Sequence, residues 1–335
     1  MIKVAINGFG RIGRLAFRQM LTSSDFDVVA VNSASGSPED FAYHTKYDTV
    51  HGSFHEDKIS FDEKNIIICE KKYIPVFNEK EPEKLPWKDL GVDLVLECTG
   101  AFTSIEGATK HITAGAKKVL ISSPGKDEMP TIVYGVNNQI LTNDMKIVSA
   151  SSCTTNCLAP ILKIINDNYG IKKGYMTTIH AYTTDQNNLD NIHSKGVASR
   201  RGRACADNIV PASTGAAKSI GLVIPALKGR MDGMAFRVPV SDGSIVDTVL
   251  ELERKVSVDE INEVFKSNQN EVIKYINDPI VSSDIIGNKA GSLVDGLSTS
   301  VIEDDGNQLV KIVAWYDNEY GYTAQMLRTA KEMFK

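Results

Sequence analysis

Cysteine is scarce in this sequence: five residues in 335, an odd count, which argues against a disulfide framework and agrees with a reducing compartment. Metal-ligand clusters are missing too. Cys153 and Cys157 lie four residues apart, but no second Cys/His group stands at ligand spacing, so no metal is expected. There is no excess of basic charge. At a net charge of -5, general affinity for nucleic acid is not expected, and an anionic ligand must be held by local basic clusters. No apolar run approaches membrane-spanning length, and Met1-Ile2-Lys3-Val4-Ala5-Ile6 enters a motif with no room for a signal peptide. The expectation is a cytoplasmic protein without a membrane partner. Internal repeats and low-complexity segments are absent as well. What remains is a globular chain, 42% hydrophobic and 24% charged, long enough for a large core and for two domains.

The first half reads as a dinucleotide-binding unit. Ile2-Lys3-Val4-Ala5-Ile6 alternates like a strand and runs into Asn7-Gly8-Phe9-Gly10-Arg11-Ile12-Gly13-Arg14, which opens a helix from Leu15. In that setting the glycines allow a tight turn, close approach of backbone to a pyrophosphate and close helix packing, with the helix N-terminus facing the phosphates. The apolar run Val28-Val29-Ala30-Val31 completes a βαβ unit, but it ends in Asn32-Ser33-Ala34-Ser35-Gly36 without the carboxylate that grips the ribose of NAD. Two readings stay open: NADP use, or NAD held less tightly. Lys80 is the nearest positive charge for a 2′-phosphate. Residues 92–98 and 117–122 read as buried parallel strands, with a helix over 105–115 between them. The small residues at their ends, Thr99, Gly100 and Ser122, are either cofactor contacts or ordinary turn residues. Residues 66–76 look like an inserted hairpin.

The second half turns on Ser152-Cys153-Thr154-Thr155-Asn156-Cys157, hydroxyl residues between a strand and an apolar helical stripe. A thiol at a helix N-terminus gains thiolate character and becomes a nucleophile; an isolated buried cysteine is inert. Pro160 predicts either a kink or a later helix start. Residues 175–183 form a strand that brings His180 to its end, 27 residues after Cys153, where an imidazole beside a thiol serves as base. Residues 185–208 make a long polar loop carrying His193, Lys195, Arg200, Arg201 and Arg203, suited to phosphate. Ser213-Thr214-Gly215-Ala216 leads into a helix as a second oxyanion rest, and Arg237 lies inside an apolar strand. Ser257 with Glu260 predicts a capping box.

These segments, with Thr177-Thr178-Ile179-His180-Ala181 and Trp315-Tyr316-Asp317-Asn318-Glu319, resemble the phosphorylating glyceraldehyde-3-phosphate dehydrogenases over essentially the whole chain. The resemblance implies an α/β protein: a Rossmann dinucleotide-binding domain over 1–152, completed by the C-terminal helix of about 318–335, and an α+β catalytic domain with a mostly antiparallel sheet over 153–317. It implies a homotetramer that oxidises glyceraldehyde 3-phosphate with NAD or NADP and inorganic phosphate. Cys153 would form a thiohemiacetal and then a thioester, and His180 would take the thiol proton. Thr183 and Arg237 would hold the substrate phosphate; Ser152, Thr154, Thr214, Gly215 and Arg201 would hold the attacking phosphate. Asn318 would fix the nicotinamide carboxamide, and Arg11 and Ile12 the pyrophosphate. Ser33 stands where NAD-using members usually have an acid, and Asn191-Ile192 where they have Leu-Pro, so NADP acceptance is expected. Rival readings are an erythrose 4-phosphate dehydrogenase of the same family, an aldehyde oxidiser that hydrolyses its thioester, a semialdehyde dehydrogenase, and a non-catalytic dinucleotide-binding or surface-interaction protein.

Overall fold

Consecutive residues of the first strands sort to opposite faces of one sheet. Val4 and Ile6 enter one buried cluster while Ala5 enters another; Leu94 and Leu96 are divided from Val95 in the same way, and Leu120 from Val119 and Ile121. A strand covered on both faces must be apolar at every position, which is why these runs do not alternate in polarity. The computed structural model describes residues 1–335. It divides into two units, one of Met1–Ile132, Asn138–Ser151 and Met326–Lys335, the other of Val133–Asn137 and Ser152–Gln325.

The first unit contains β1 (Ile2–Asn7), α1 (Arg11–Leu21), β2 (Phe26–Asn32), α2 (Pro38–Lys46), β3 (Ile59–Phe61), β4 (Asn65–Ile68), β5 (Lys72–Phe77), α3 (Trp87–Leu90), β6 (Leu94–Glu97), α4 (Ile105–Thr113), β7 (Lys118–Ile121) and β8 (Ile147–Ser149). Its sheet runs β3-β4-β5-β2-β1-β6-β7-β8. From β5 to β8 neighbouring strands are parallel, in the order of a doubly wound dinucleotide-binding sheet. The expected hairpin is present as β4 with β5, but it is more than an insertion, because Val76 and Phe77 of β5 also pair in parallel with Val31 and Asn32. The strand order reverses between β1 and β6, and that crevice is where a ligand meets such a sheet.

The second unit contains α5 (Cys153–Tyr169), β9 (Ile171–Ala181), β10 (Val210–Ser213), α6 (Ala216–Val223), β11 (Met231–Val238), β12 (Ser244–Leu252), α7 (Val258–Ser267), β13 (Ile273–Ile276), β14 (Ser292–Asp295), β15 (Ser300–Asp304) and β16 (Asn307–Tyr316). Its sheet is mostly antiparallel, with parallel pairing only between β9 and β11 and between β13 and β14. Helix α5 buries Cys157, Leu158, Ile161, Leu162 and Ile165 against it. Pro160 does not delay that helix, which starts at Cys153 on the cap made by Ser152 Oγ and the Thr155 N–H. Ser257 and Glu260 form both bonds of the expected capping box at α7. The last helix, α8 (Tyr320–Glu332), is shared: Met326, Leu327 and Ala330, followed by Met333 just beyond it, lie in the core of the first unit. No helix is long and apolar enough to cross a membrane.

Candidate active site

Three elements of the second unit converge on one thiol. Cys153 is the first residue of α5, His180 lies near the end of β9, and Arg237 is the register partner of His180 on β11. Cys153 Sγ is 3.4 Å from His180 Nε2. The other ring nitrogen, Nδ1, lies 2.7 Å from the Ala181 carbonyl oxygen, which only accepts, and 3.0 Å from Arg237 Nη1, which only donates. The two Nη1 protons are taken by the Ala181 carbonyl and Thr183 Oγ1, so the proton is assigned to Nδ1 and Nε2 is left with its lone pair toward the sulfur. Tyr316 packs its ring edge-on against the imidazole at 5.8 Å. The Tyr316 hydroxyl joins Thr154 Oγ1 at 3.0 Å and Thr178 Oγ1 at 2.8 Å, tying the start of α5 to β9.

Each member of the pair resists charge when taken alone. Burial pushes the Cys153 thiol up, while Arg237 and the hydrogen bonds of Thr154 pull it back. Burial and then the Arg237 guanidinium push the His180 imidazole down to about 3. Helix position alone therefore does not make this thiol a thiolate; desolvation outweighs it. Charged together, a thiolate and an imidazolium at this spacing attract by about 5 kcal/mol at an effective dielectric of about 20.

The anion-binding candidates fall into two groups. Arg237 Nη1 donates to Thr183 Oγ1 and to the Ala181 carbonyl, both at 3.0 Å. Thr183 also donates to Asp185, whose other carboxylate oxygen pairs with Arg201. Arg201 is thus joined to Thr183 and Arg237 through Asp185, whereas the sequence reading had grouped it with Ser152 and Thr214. In the other group, Gly215 is the N-cap of α6 with no side-chain cap, and open space surrounds its Cβ position. Thr214 Oγ1 accepts the Ala216 N–H. Ser152 Oγ is engaged with Thr155. Thr154 is buried, with its hydroxyl on Tyr316 and its backbone N–H directed at the Cys153 sulfur. Asn318 is buried, and Ser244 Oγ donates to its Oδ1 at 2.6 Å while accepting the Ala181 N–H. That bond leaves the Nδ2 side of Asn318 as the donor.

In the first unit, Gly8 has φ +96°, and a Cβ there would come within 2.6 Å of the Cys98–Thr99 backbone. A Cβ at Gly13 would run into the Gly8 carbonyl oxygen. Gly10, by contrast, faces open space, caps α1 with no side-chain bond, and no acidic residue lies in the first turn of α1. This is the donor set and the cradle that a pyrophosphate fits. Phe9 is buried against Phe17 and Phe41, and Arg11 is held by Asp48, so these two and the half-buried Ile12 offer backbone N–H groups first. Thr99 and Gly100 are exposed at the end of β6, and the Ser122 N–H bonds to the Glu97 carbonyl. Asn78 Nδ2 donates to the carbonyls of Ser33 and Gly36, which places the segment bearing Lys80 beside the loop after β2. Lys80 itself is exposed between Glu79 and Glu81. Asn191 is exposed in the loop of the second unit, where its N–H bonds to the Gly202 carbonyl.

Sequence reading missed Asp185, Ser244, Tyr316 and the buried pair Glu97 and His111. A carboxylate closing an apolar strand was a usable signal for Glu97; the others are known only by what they touch.

Comparison with known proteins gives the family. The family model described as the glyceraldehyde 3-phosphate dehydrogenase NAD binding domain matches residues 2–105, and that of the C-terminal domain matches residues 152–318. The chain is 51% identical over 335 residues to the glyceraldehyde-3-phosphate dehydrogenase of Clostridium pasteurianum, covering 100% of this chain and 99% of that one. Identity to the Clostridium acetobutylicum protein of the same name is 51% over 329 residues, 98% of this chain and 97% of the other. To the Streptococcus pyogenes protein it is 50% over 336 residues, 100% and 99%. The chain belongs to the glyceraldehyde-3-phosphate dehydrogenase family.

Proposed function

We propose that this protein catalyses the phosphorylating oxidation of glyceraldehyde 3-phosphate to 1,3-bisphosphoglycerate. The observation that carries the reading is the 3.4 Å approach of Cys153 Sγ to an imidazole nitrogen left free to accept. Sulfur attacks the aldehyde carbon and its proton passes by way of His180 Nε2 to the carbonyl oxygen, giving a thiohemiacetal. A bound nicotinamide dinucleotide supplies the hydride acceptor. Loss of hydride, with the hydroxyl proton taken by His180 Nε2, leaves a thioester on Cys153; inorganic phosphate attacks it, expelling the sulfur, which takes the proton back from His180 as the acyl phosphate leaves. Arg237 and Thr183 hold the substrate phosphate, with Arg201 set behind them by Asp185. Gly215, Thr214, Ser152 and Thr154 receive the attacking phosphate, and Asn318 Nδ2 would hold the carboxamide of the cofactor. Stopped-flow mixing with aldehyde and cofactor tests this: reduced cofactor should form in one fast burst per active site, and continued turnover should require phosphate. Steady turnover without phosphate would favour a hydrolysing enzyme instead.

Cofactor choice and assembly belong to the same proposal. The missing acid at Ser33 and the polar Asn191 support turnover with NADP as well as NAD, although the carboxylates flanking Lys80 count against tight 2′-phosphate binding. Steady-state rates with the two cofactors side by side decide it, and no NADP-linked rate would end the idea. A homotetramer is supported by family membership and by the exposed Leu189, Ile192 and Val197 of the long loop. Sedimentation would read it directly.

A further inference from the structure

Below the glycine loop lies a buried polar network that the proposed chemistry does not use. Glu97, the last residue of β6, is buried and receives four donors. Its Oε1 accepts the Thr99 N–H at 2.8 Å and the Thr99 hydroxyl. Its Oε2 accepts Asn7 Nδ2 at 2.6 Å and His111 Nε2 at 3.1 Å. Trp87 fixes the imidazole, because its indole N–H can only donate and lies 3.1 Å from His111 Nδ1, so the His111 proton must sit on Nε2, toward Glu97. Asn7 extends the chain of bonds: its Oδ1 accepts Asn32 Nδ2 at 2.6 Å, and Asn32 in turn pairs with the backbone N–H and C=O of Glu79.

One carboxylate therefore joins the ends of three strands on which a dinucleotide must rest. Asn7 ends β1 and precedes the glycine loop; Thr99 lies in the loop after β6 that Gly8 packs against; Asn32 ends β2, beside Ser33. A fully satisfied buried network of this kind is rigid, and a half-satisfied one is costly. We propose that Glu97 is a positioning residue for dinucleotide binding, held by His111 and Trp87, which fixes the pyrophosphate loop and the adenosine-end loop in one geometry. This rests on the dinucleotide-binding reading of the first unit. Ordering of both loops before the ligand arrives raises affinity without touching the reacting atoms.

The test is direct titration of the ligand-free protein with NAD, read by quenching of tryptophan fluorescence or by calorimetry, alongside kinetics. Glu97→Gln puts an amide NH2 where two donors already point. It should weaken the NAD dissociation constant by about 10- to 100-fold and raise KM for NAD in step, while kcat at saturating NAD and KM for the aldehyde stay within about threefold. Trp87→Phe keeps an aromatic ring in the pocket but releases the His111 tautomer, and should weaken NAD by about 3- to 10-fold, read by calorimetry. If Glu97→Gln does not fold, Trp87→Phe decides. Wild-type amide exchange gives a reading free of mutation: the Thr99 N–H, on an exposed loop, should be protected in the absence of ligand. Lower melting temperatures with NAD affinity unchanged within twofold, or a freely exchanging Thr99 amide, would overturn the proposal. Failure of the wild-type protein to bind NAD at all would instead sink the dinucleotide reading itself.

Discussion

Two buried histidines, one in each unit, are set in opposite senses by their neighbours. His111 has an indole N–H against Nδ1, so its Nε2 donates, to a carboxylate. His180 has the Ala181 carbonyl against Nδ1, while Arg237 Nη1 beside it gives its protons to Ala181 and Thr183, so His180 Nε2 is left to accept from a thiol. The same side chain is held as a donor in one place and left as an acceptor in the other, and the groups around the remote nitrogen set the difference. Burial of a histidine thus says little about its use; the second partner decides.

The largest effect that tests this contrast is loss of the partner with the chemistry. Cys153→Ser should lower aldehyde oxidation to below about one ten-thousandth, since a hydroxyl offers no comparable anion, while NAD still binds in calorimetry. Next, His180→Asn should slow kcat by about 10² to 10⁴, the range for a lost general base, with NAD affinity little changed; an effect on NAD affinity as large as that on kcat would erase the distinction between the two histidines.

His180 also leaves a mark on stability. Its folded pKa, about 3, lies below the ordinary 6.5, so between those values the unfolded chain binds a proton that the folded chain does not. Stability is complete above pH 6.5 and falls as pH drops toward 3. Denaturant titrations should show that acid slope in the native protein and a shallower one in His180→Asn. Smallest is the partly buried Arg11–Asp48 pair in the first unit. Burial pushes Asp48 up, but Arg11 and the N–H groups of His51 and Val50 outweigh it and bring it to about 2. Its contribution, about 1–2 kcal/mol after allowance for solvent screening, is present above pH 4 and is lost as pH falls through 2. Asp48→Asn should remove it in the same titrations.

The contrast also explains what could be read in advance. The glycine loop is legible because turn, cap and helix are adjacent in sequence, and the capping box at Ser257 and Glu260 for the same reason. The start of α5 at Cys153 was legible through its hydroxyl cap, and only the weight given to Pro160 misled. Local signals could not reveal that Val76 pairs with Val31, that Tyr316 joins Thr154 to Thr178, or that His111 meets Glu97, because each contact is made by residues brought together only when the sheet forms. The helix N-terminus suggested an easily ionised thiol, but the desolvation that opposes it comes from tertiary packing.

The most direct test of the account is the rate at which iodoacetamide alkylates Cys153 at pH 7 in the ligand-free protein and in His180→Asn, with the labelled residue identified by mass spectrometry. If Nε2 accepts the thiol proton, the variant should react at least about tenfold more slowly. Equal rates would mean that the imidazole does not act on the sulfur, and the assignment of His180 as base would be contradicted.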